Sequence, residues 1–512
     1  MNAQLFRLKS HLAGWREWEM NPIVIKELRQ GVRSWSVTGM LMLFLVVLFV
    51  ASLGFLITSS FDATANLGLG GTMFSCFVII LAVASMFFIP LYTGVRVAGE
   101  RAENNMDLLY VTTLSPTRII LGKFLCSAYI VLLFFSACMP FMAFTNLLRG
   151  VDLPTVFFIL AFLFLFVCAA NMVAIFLACL PLSRPFKFLF VLYGIFQSFF
   201  VIGSLVALSL ELLRSGVGAK MAEPYFWVTS TTVAAVVVAG AGLFFVLSVA
   251  LISPPSANRA LGVRAYITAA WLAGGLLTLY WVWRQSEARL IMVWQTVTYI
   301  LMFCALLNVI SNADRLSLRV RRAIPQPAPG RALAFFFFNG AAGGLCWVAA
   351  LVALTLLGGN AVLEVKKWMV TVPGGADSGI DLFLSEMRIT FLYAFSYALT
   401  ALFIHRKFLP TRSPKLAGLL ALLLAGGWAM APGIFLFFAN RLSRKSIEGL
   451  QLGNVFNVLY TRDPSELVWH LYFALGWLVI AIFLNLGWFR QQAGQFRRPT
   501  EITLPPVLPP AS

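Results

Sequence analysis

Residues Phe157–Ala170 read FFILAFLFLFVCAA. The run carries no charge and does not alternate apolar with polar side chains, as a barrel strand would over about ten positions. It sits inside a longer apolar window, 154–180. Crossing the roughly 30 Å hydrocarbon core takes about 20 residues of helix, and windows of that length recur on both sides of it. They fall near 37–58, 73–95, 123–147, 186–210, 229–252, 265–283, 290–311, 332–357, 388–404, 415–438 and 468–489, which with 154–180 makes twelve.

The chain of 512 residues is 60% hydrophobic and 11% charged. Soluble domains carry roughly 25% charged residues. The mean hydropathy is +0.87. The expected fold is an all-α, polytopic transmembrane helical bundle of about twelve spans. Pro90, Pro140 and Pro432 fall inside windows, where spanning helices tolerate them if neighbours re-satisfy the backbone. No short apolar region with a small-residue cleavage site precedes the first window, so that span is expected to serve as its own insertion signal. All seven cysteines lie within windows, which reads as packing rather than a disulfide framework.

With the amino terminus inside, the even loops and both tails hold 26 of the 38 Lys and Arg residues but only 8 of the 20 acids. The whole formal charge of +18 then lies on one face, as the positive-inside rule requires. This places both termini in the cytoplasm, implies contact with anionic lipid and removes the need for a nucleic-acid partner, for which no soluble basic module exists.

Chemistry is sparse. No G-x-x-x-x-G-K-[ST] loop occurs: the Gly122-Lys123 pair is followed by Phe124 and has Thr117 where the first glycine should stand. ATP hydrolysis would have to come from another chain, and this one is not expected to be an enzyme by itself or to bind a cofactor. His11, His405 and His470 are scattered, without ligands at metal spacing. The interiors of the windows hold essentially no ionisable residues, with charges such as Arg149, Glu211 and Arg388 at the ends, which weighs against an ion-driven path through them. Asn171, Gln197 and Asn308 read as interhelical hydrogen-bond partners. The first outer loop offers only Asp62, too few acids for a membrane glycosyltransferase, and no outer loop is long enough for a folded domain.

Two segments stand out. Met20–Trp35 reads MNPIVIKELRQGVRSW, with Asn21 as a cap and Pro22 at the first helical position. Ile25, Leu28, Val32 and Trp35 form one face and Lys26, Arg29, Gln30 and Arg33 another, predicting an amphipathic helix on the membrane surface. Trp15, Trp18 and Trp35 add interfacial anchors. Arg96–Lys123 reads RVAGERAENNMDLLYVTTLSPTRIILGK. Helical spacing puts Glu100, Glu103 and Asp107 on one stripe, with Met106, Leu109 and Tyr110 beside it. A second helix restarts with Ser115 as cap and Pro116 first, and runs through Gly122 and Lys123 into the third span.

NPIVIKELRQGVRS and the pattern GERxxxxMDLLxxTxLSPxxIxxGK resemble the permease subunits of type-2 ABC transporters, the exporter-type family. The likeness covers roughly residues 20–147, and the six-span layout to 252 more loosely. It implies that residues from Asn21 and Pro22 through Lys26, Glu27, Leu28, Arg29 and Gln30 form the interfacial connecting helix. It implies further that Glu100, Asp107, Leu108, Leu109, Thr112, Leu114, Ser115 and Pro116, joined by Glu103 of the acidic stripe, form the coupling surface for a cytoplasmic ATP-binding subunit. ATP would then be bound and hydrolysed by that partner. The family's usual six-span permease pairs with a second permease chain or a second copy of itself.

The expected organisation is a cytoplasmic N-terminus over 1–36, a six-span domain over 37–252 with its coupling loop at 96–122, a second six-span domain over 253–489, and a proline-rich cytoplasmic tail over 490–512. The second half has no copy of KELRQ or MDLL. Its equivalent loop, Asn312–Arg331, is basic and proline-rich. One internal echo, EPYFW at Glu223–Trp227 and DPSELVW at Asp463–Trp469, stands before the last span of each half, where the family tends to place short outer interfacial helices. The activity expected is export across a prokaryotic inner membrane. The alternatives are a twelve-span secondary transporter and a non-transport scaffold or enzyme component.

Overall fold

The computed structural model describes residues 22–61, 69–102, 115–148, 151–181, 183–220, 222–285, 289–312, 316–369, 377–439, 451–459, 461 and 463–497. Those residues are predominantly helical, and twelve of the helices are long and apolar enough to cross a membrane. The chain is an integral membrane protein with an all-α polytopic fold. It divides into two compact units, Met1–Pro254 and Pro255–Ser512, which are described separately.

The first unit opens with α1 (Pro22–Val32), followed by α2 (Trp35–Phe61). The next span, α3, comprises Leu69–Val83, a π-helical turn at Ala84–Phe88, and Ile89–Ala102. Pro90 stands two residues past the π turn and has no N–H to return to the preceding turn, which is where a helix most readily changes its hydrogen-bond register. After it come α4 (Pro116–Leu147), α5 (Leu153–Cys179), α6 (Arg184–Ser215), the one-turn α7 (Val217–Lys220) and α8 (Pro224–Ile252). The core joins Phe44 and Leu48 of α2, Phe74, Phe77 and Leu81 of α3, Phe134 and Cys138 of α4, and Leu163 and Val167 of α5. Lipid is as apolar as these side chains, so close packing rather than exclusion from water holds them together. Gly94 accordingly lets α3 approach Ala174 of α5, where a built Cβ would stand 3.6 Å from Ala174 Cβ. Val97, Ile119, Ile120, Ile175, Cys179 and Ile252 cluster, bringing the ends of α3, α5 and α8 to the start of α4.

The second unit contains α9 (Arg259–Gln285), α10 (Arg289–Ile310), the short α11 (Leu318–Arg322) and α12 (Ala328–Phe337), then α13 (Ala341–Met369), α14 (Asp377–Phe408), α15 (Leu416–Phe438), the one-turn α16 (Val455–Val458) and α17 (Pro464–Gln495). The central helix is α14, packed on α10, α15 and α17. Its Tyr393 hydroxyl lies 3.0 Å from His470 Nδ1 and accepts from Gly453 N at 3.1 Å, while the Tyr397 hydroxyl donates to Gly453 O at 2.6 Å. Gly453 has φ +95°, and a Cβ there would collide with the Trp428 indole.

Several expected boundaries move. The ninth window, 332–357, is not one span: α12 ends at Phe337 and α13 begins at Ala341. Gly340 takes φ +134°, a conformation open to glycine. Arg264 Nη1 donates to Phe336 O at 2.8 Å and Phe338 O at 2.7 Å, and its Nη2 to Gly340 O at 3.1 Å. The guanidinium thereby takes up the carbonyls that the break leaves free. The tail expected from 490 begins later, since α17 continues to Gln495. EPYFW and DPSELVW are not separate interfacial helices. Glu223 and Asp463 are the N-caps of α8 and α17, each with proline at the first helical position, and each follows a one-turn helix.

The helices outrun several hydropathy windows, and buried Lys123, Arg264, His405 and His470 stand at or near the window ends. Asn171 is wholly buried with no partner for either amide atom among the described residues. Gln197 is exposed. Of the three polar residues expected to bond between helices, Asn308 accepts from Asn312 Nδ2 at 3.4 Å within its own segment, and none bridges two helices among the described residues.

Candidate functional site

The segments singled out in the sequence meet at one end of the first unit. Helix α1 begins at Pro22 as expected, and three faces emerge. Val24, Glu27 and Gly31 are buried against the unit, chiefly α4. Ile25, Val32 and Trp35 remain exposed, at 42%, 66% and 86%. Lys26, Arg29, Gln30 and Arg33 form the exposed polar side. The apolar stripe read from the sequence is therefore the side that lipid would cover, and the protein-facing side includes an acid. Leu28 lies between these faces, half-buried.

That acid, Glu27, is 6% exposed. Its Oε1 accepts from Lys123 Nζ at 3.1 Å and its Oε2 faces Arg96 Nη2 at 3.2 Å. Lys123 Nζ also bonds Glu100 Oε2 at 2.5 Å. Arg96 donates to Gln30 Oε1 at 2.7 Å and to the Tyr92 hydroxyl at 3.0 Å, with its guanidinium over the Tyr92 ring. Two carboxylates and two cations thus close a neutral node over three helices. Such a cluster tolerates burial because every charge has an opposite partner. Burial alone would raise the Glu27 pKa, but Lys123, through charge and hydrogen bond, and Arg96 outweigh it and hold the carboxyl below its ordinary value.

The node brackets the loop. Glu100 is two residues from the end of α3, and Lys123 is two turns into α4. Ser115 caps α4, its hydroxyl accepting from Arg118 N at 3.4 Å, and Pro116 follows at the first position. The helix then runs unbroken into the span. Both ends of the intervening stretch are tied to each other through Lys123 and Glu100, and to α1 through Glu27. Asn21, Glu103, Asp107, Leu108, Leu109, Thr112 and Leu114 lie outside the described residues. Glu100 faces Lys123 rather than standing free, and Ser115 is exposed.

Sequence reasoning missed Arg96, Lys123 and Tyr92. Their signal was available: Tyr92, Arg96 and Glu100 recur every four residues on one helical face, ahead of a lysine just inside the next helix. The second unit has no described counterpart of this node; its equivalent loop holds α11 and α12. Among the described residues no group of His, Cys, Asp or Glu is placed to hold a metal. No protein-family model matches the chain, and no curated protein or solved structure is significantly similar to it.

Proposed function

We propose that this chain is the membrane permease subunit of an ATP-driven exporter of the type-2 ABC class, in a prokaryotic inner membrane with both termini cytoplasmic. The observation that carries the reading is the node of Glu27, Arg96, Glu100 and Lys123. A segment that receives force from a soluble ATPase must pass it to the spans without slack. Here both ends of the 103–114 stretch are joined by a buried ion pair, and the same lysine holds the surface helix α1. Displacement of the loop would move α1, α3 and α4 together, and the π turn before Pro90 gives α3 a place to bend. The ATPase would bias two arrangements of these helices by binding one of them better.

The test is association. The neighbouring reading frame is expected to encode a P-loop ATPase, and the full-length chain, co-expressed with it, to co-purify with that subunit. Replacing Asp107, Leu108 and Leu109 with alanine should abolish this while leaving the permease folded. Retention of the ATPase by the triple variant would remove the coupling role.

One observation favours a second reading, an ion-driven transporter: Glu27 and Lys123 of the node are buried within or beside spans. It predicts flux that follows a proton gradient in proteoliposomes without any ATPase. The node's position at a helix end, with all four charges paired, supports a brace over a proton path.

A further inference from the structure

We propose that the cavity at the end of α14 is a binding site for the phosphate headgroup of an anionic phospholipid. The cavity measures about 490 Å³, within the roughly 300–1,000 Å³ range of small-molecule pockets. His405, Arg406, Lys407 and Arg412 line it, with Asn312 and Leu484 among the remaining walls. No acid is among the described lining residues. The carbonyl end of α14 contributes about half a negative charge, which a single cation offsets, so the cavity stays positive.

Two of its cations rest against neighbouring side chains. Arg406 Nη1 donates to Asn485 Oδ1 at 3.1 Å, and its guanidinium lies 4.8 Å from the centre of the Trp488 ring. Lys407 Nζ stands 5.5 Å and 5.7 Å from the Phe403 and Phe408 rings. His405 Nε2 lies 3.1 Å from Ser413 O, folding the following loop back over the helix end. Lys407 and Arg412 are exposed, and neither is paired with an acid among the described residues. A tetrahedral anion with several acceptor oxygens suits such a set.

The surroundings select a lipid as its source. Phe408 and Leu484 are 65% and 45% exposed beside the cavity, on helices whose apolar sides acyl chains cover. A headgroup seated among the cations would lay its chains on those side chains. Basic pockets between spans take anionic headgroups in this way.

The test uses full-length protein in neutral detergent, read by native mass spectrometry and thermal melting with phosphatidylglycerol, phosphatidylcholine or inorganic phosphate added. Phosphatidylglycerol is expected to stay bound and raise the melting temperature by several degrees, the other two to do neither. Lys407→Gln with Arg412→Gln should melt like the parent without lipid and bind phosphatidylglycerol at least tenfold more weakly. Should the double variant not fold, Arg412→Gln alone is read the same way. Undiminished binding by the variant, or an equal effect of phosphatidylcholine, would overturn the proposal. Reproduction of the effect by inorganic phosphate would overturn the lipid assignment.

Discussion

Lys123→Met removes the cation that Glu27 and Glu100 share, while keeping the length and apolar stem of the side chain. The lysine side chain is 4% exposed, against 8% for Glu27 and 26% for Glu100. Deleting one partner of a buried pair costs about 3–5 kcal/mol. Arg96 remains on Glu27 and Glu100 can turn to solvent, which places the cost near the lower figure. For a unit of this size each kcal/mol moves the melting temperature by about 2–4 °C, so the variant should melt roughly 6–12 °C lower at pH 7. The pH dependence carries a sign. The folded pKa of Glu27 lies below its ordinary 4.5, so the pairing contributes fully above that value and is lost as pH falls through the folded pKa. Without Lys123, burial opposes Arg96 alone, and the Glu27 pKa rises. The gap between parent and variant should therefore be wide at pH 7 and narrow once pH drops below 4.5. Melting curves of the detergent-purified protein from pH 7 to pH 4 measure this. A shift under 2 °C, or a gap unchanged by pH, would refute the assignment of Lys123 as the keystone of the node.

Other outcomes follow from the second unit and the loop. Arg264→Gln loses charge-assisted bonds to three carbonyls and should cost about 1–3 kcal/mol, with amide exchange accelerating first around 336–340. Gly344→Ala places a methyl 2.7 Å from both Val309 methyls and should lower stability by about 1–3 kcal/mol through overpacking, visible as a lower melting temperature; an unchanged value would mean that α10 and α13 do not pack so closely. Ser115→Ala removes the cap of α4 and should cost about 1 kcal/mol, read in the same melting assay, without affecting the second unit.

Sequence reading located the twelve spans because backbone groups in hydrocarbon must be satisfied within the helix, and long apolar runs are the visible consequence. Helix ends were misplaced where charges lowered the hydropathy although tertiary partners extended the helix. Helix α3 runs to Ala102 past Arg96 and Glu100 because both side chains are paired across to Glu27 and Lys123. The break at Phe338–Gly340 hid in FFFFNGAAGG, which is free of polar side chains except Asn339, and only the Asn339-Gly340 dipeptide marked it. The buried side of α1 was illegible for another reason. Its apolar periodicity records a face left largely exposed, whereas the face that meets protein is anchored by a carboxylate whose partners lie 69 and 96 residues away in the chain.

The central claim is that the node transmits force from a soluble ATPase to α1, α3 and α4, and one comparison bears on it most directly. ATP hydrolysis by any P-loop ATPase that co-purifies with the parent chain is measured when bound to the parent and to Lys123→Met in nanodiscs, with binding checked by co-purification. The account predicts that the variant still holds the ATPase through the 103–114 stretch but no longer changes its turnover on reconstitution as the parent does. Equal turnover of the two complexes, or a parent chain that captures no ATPase, would contradict it.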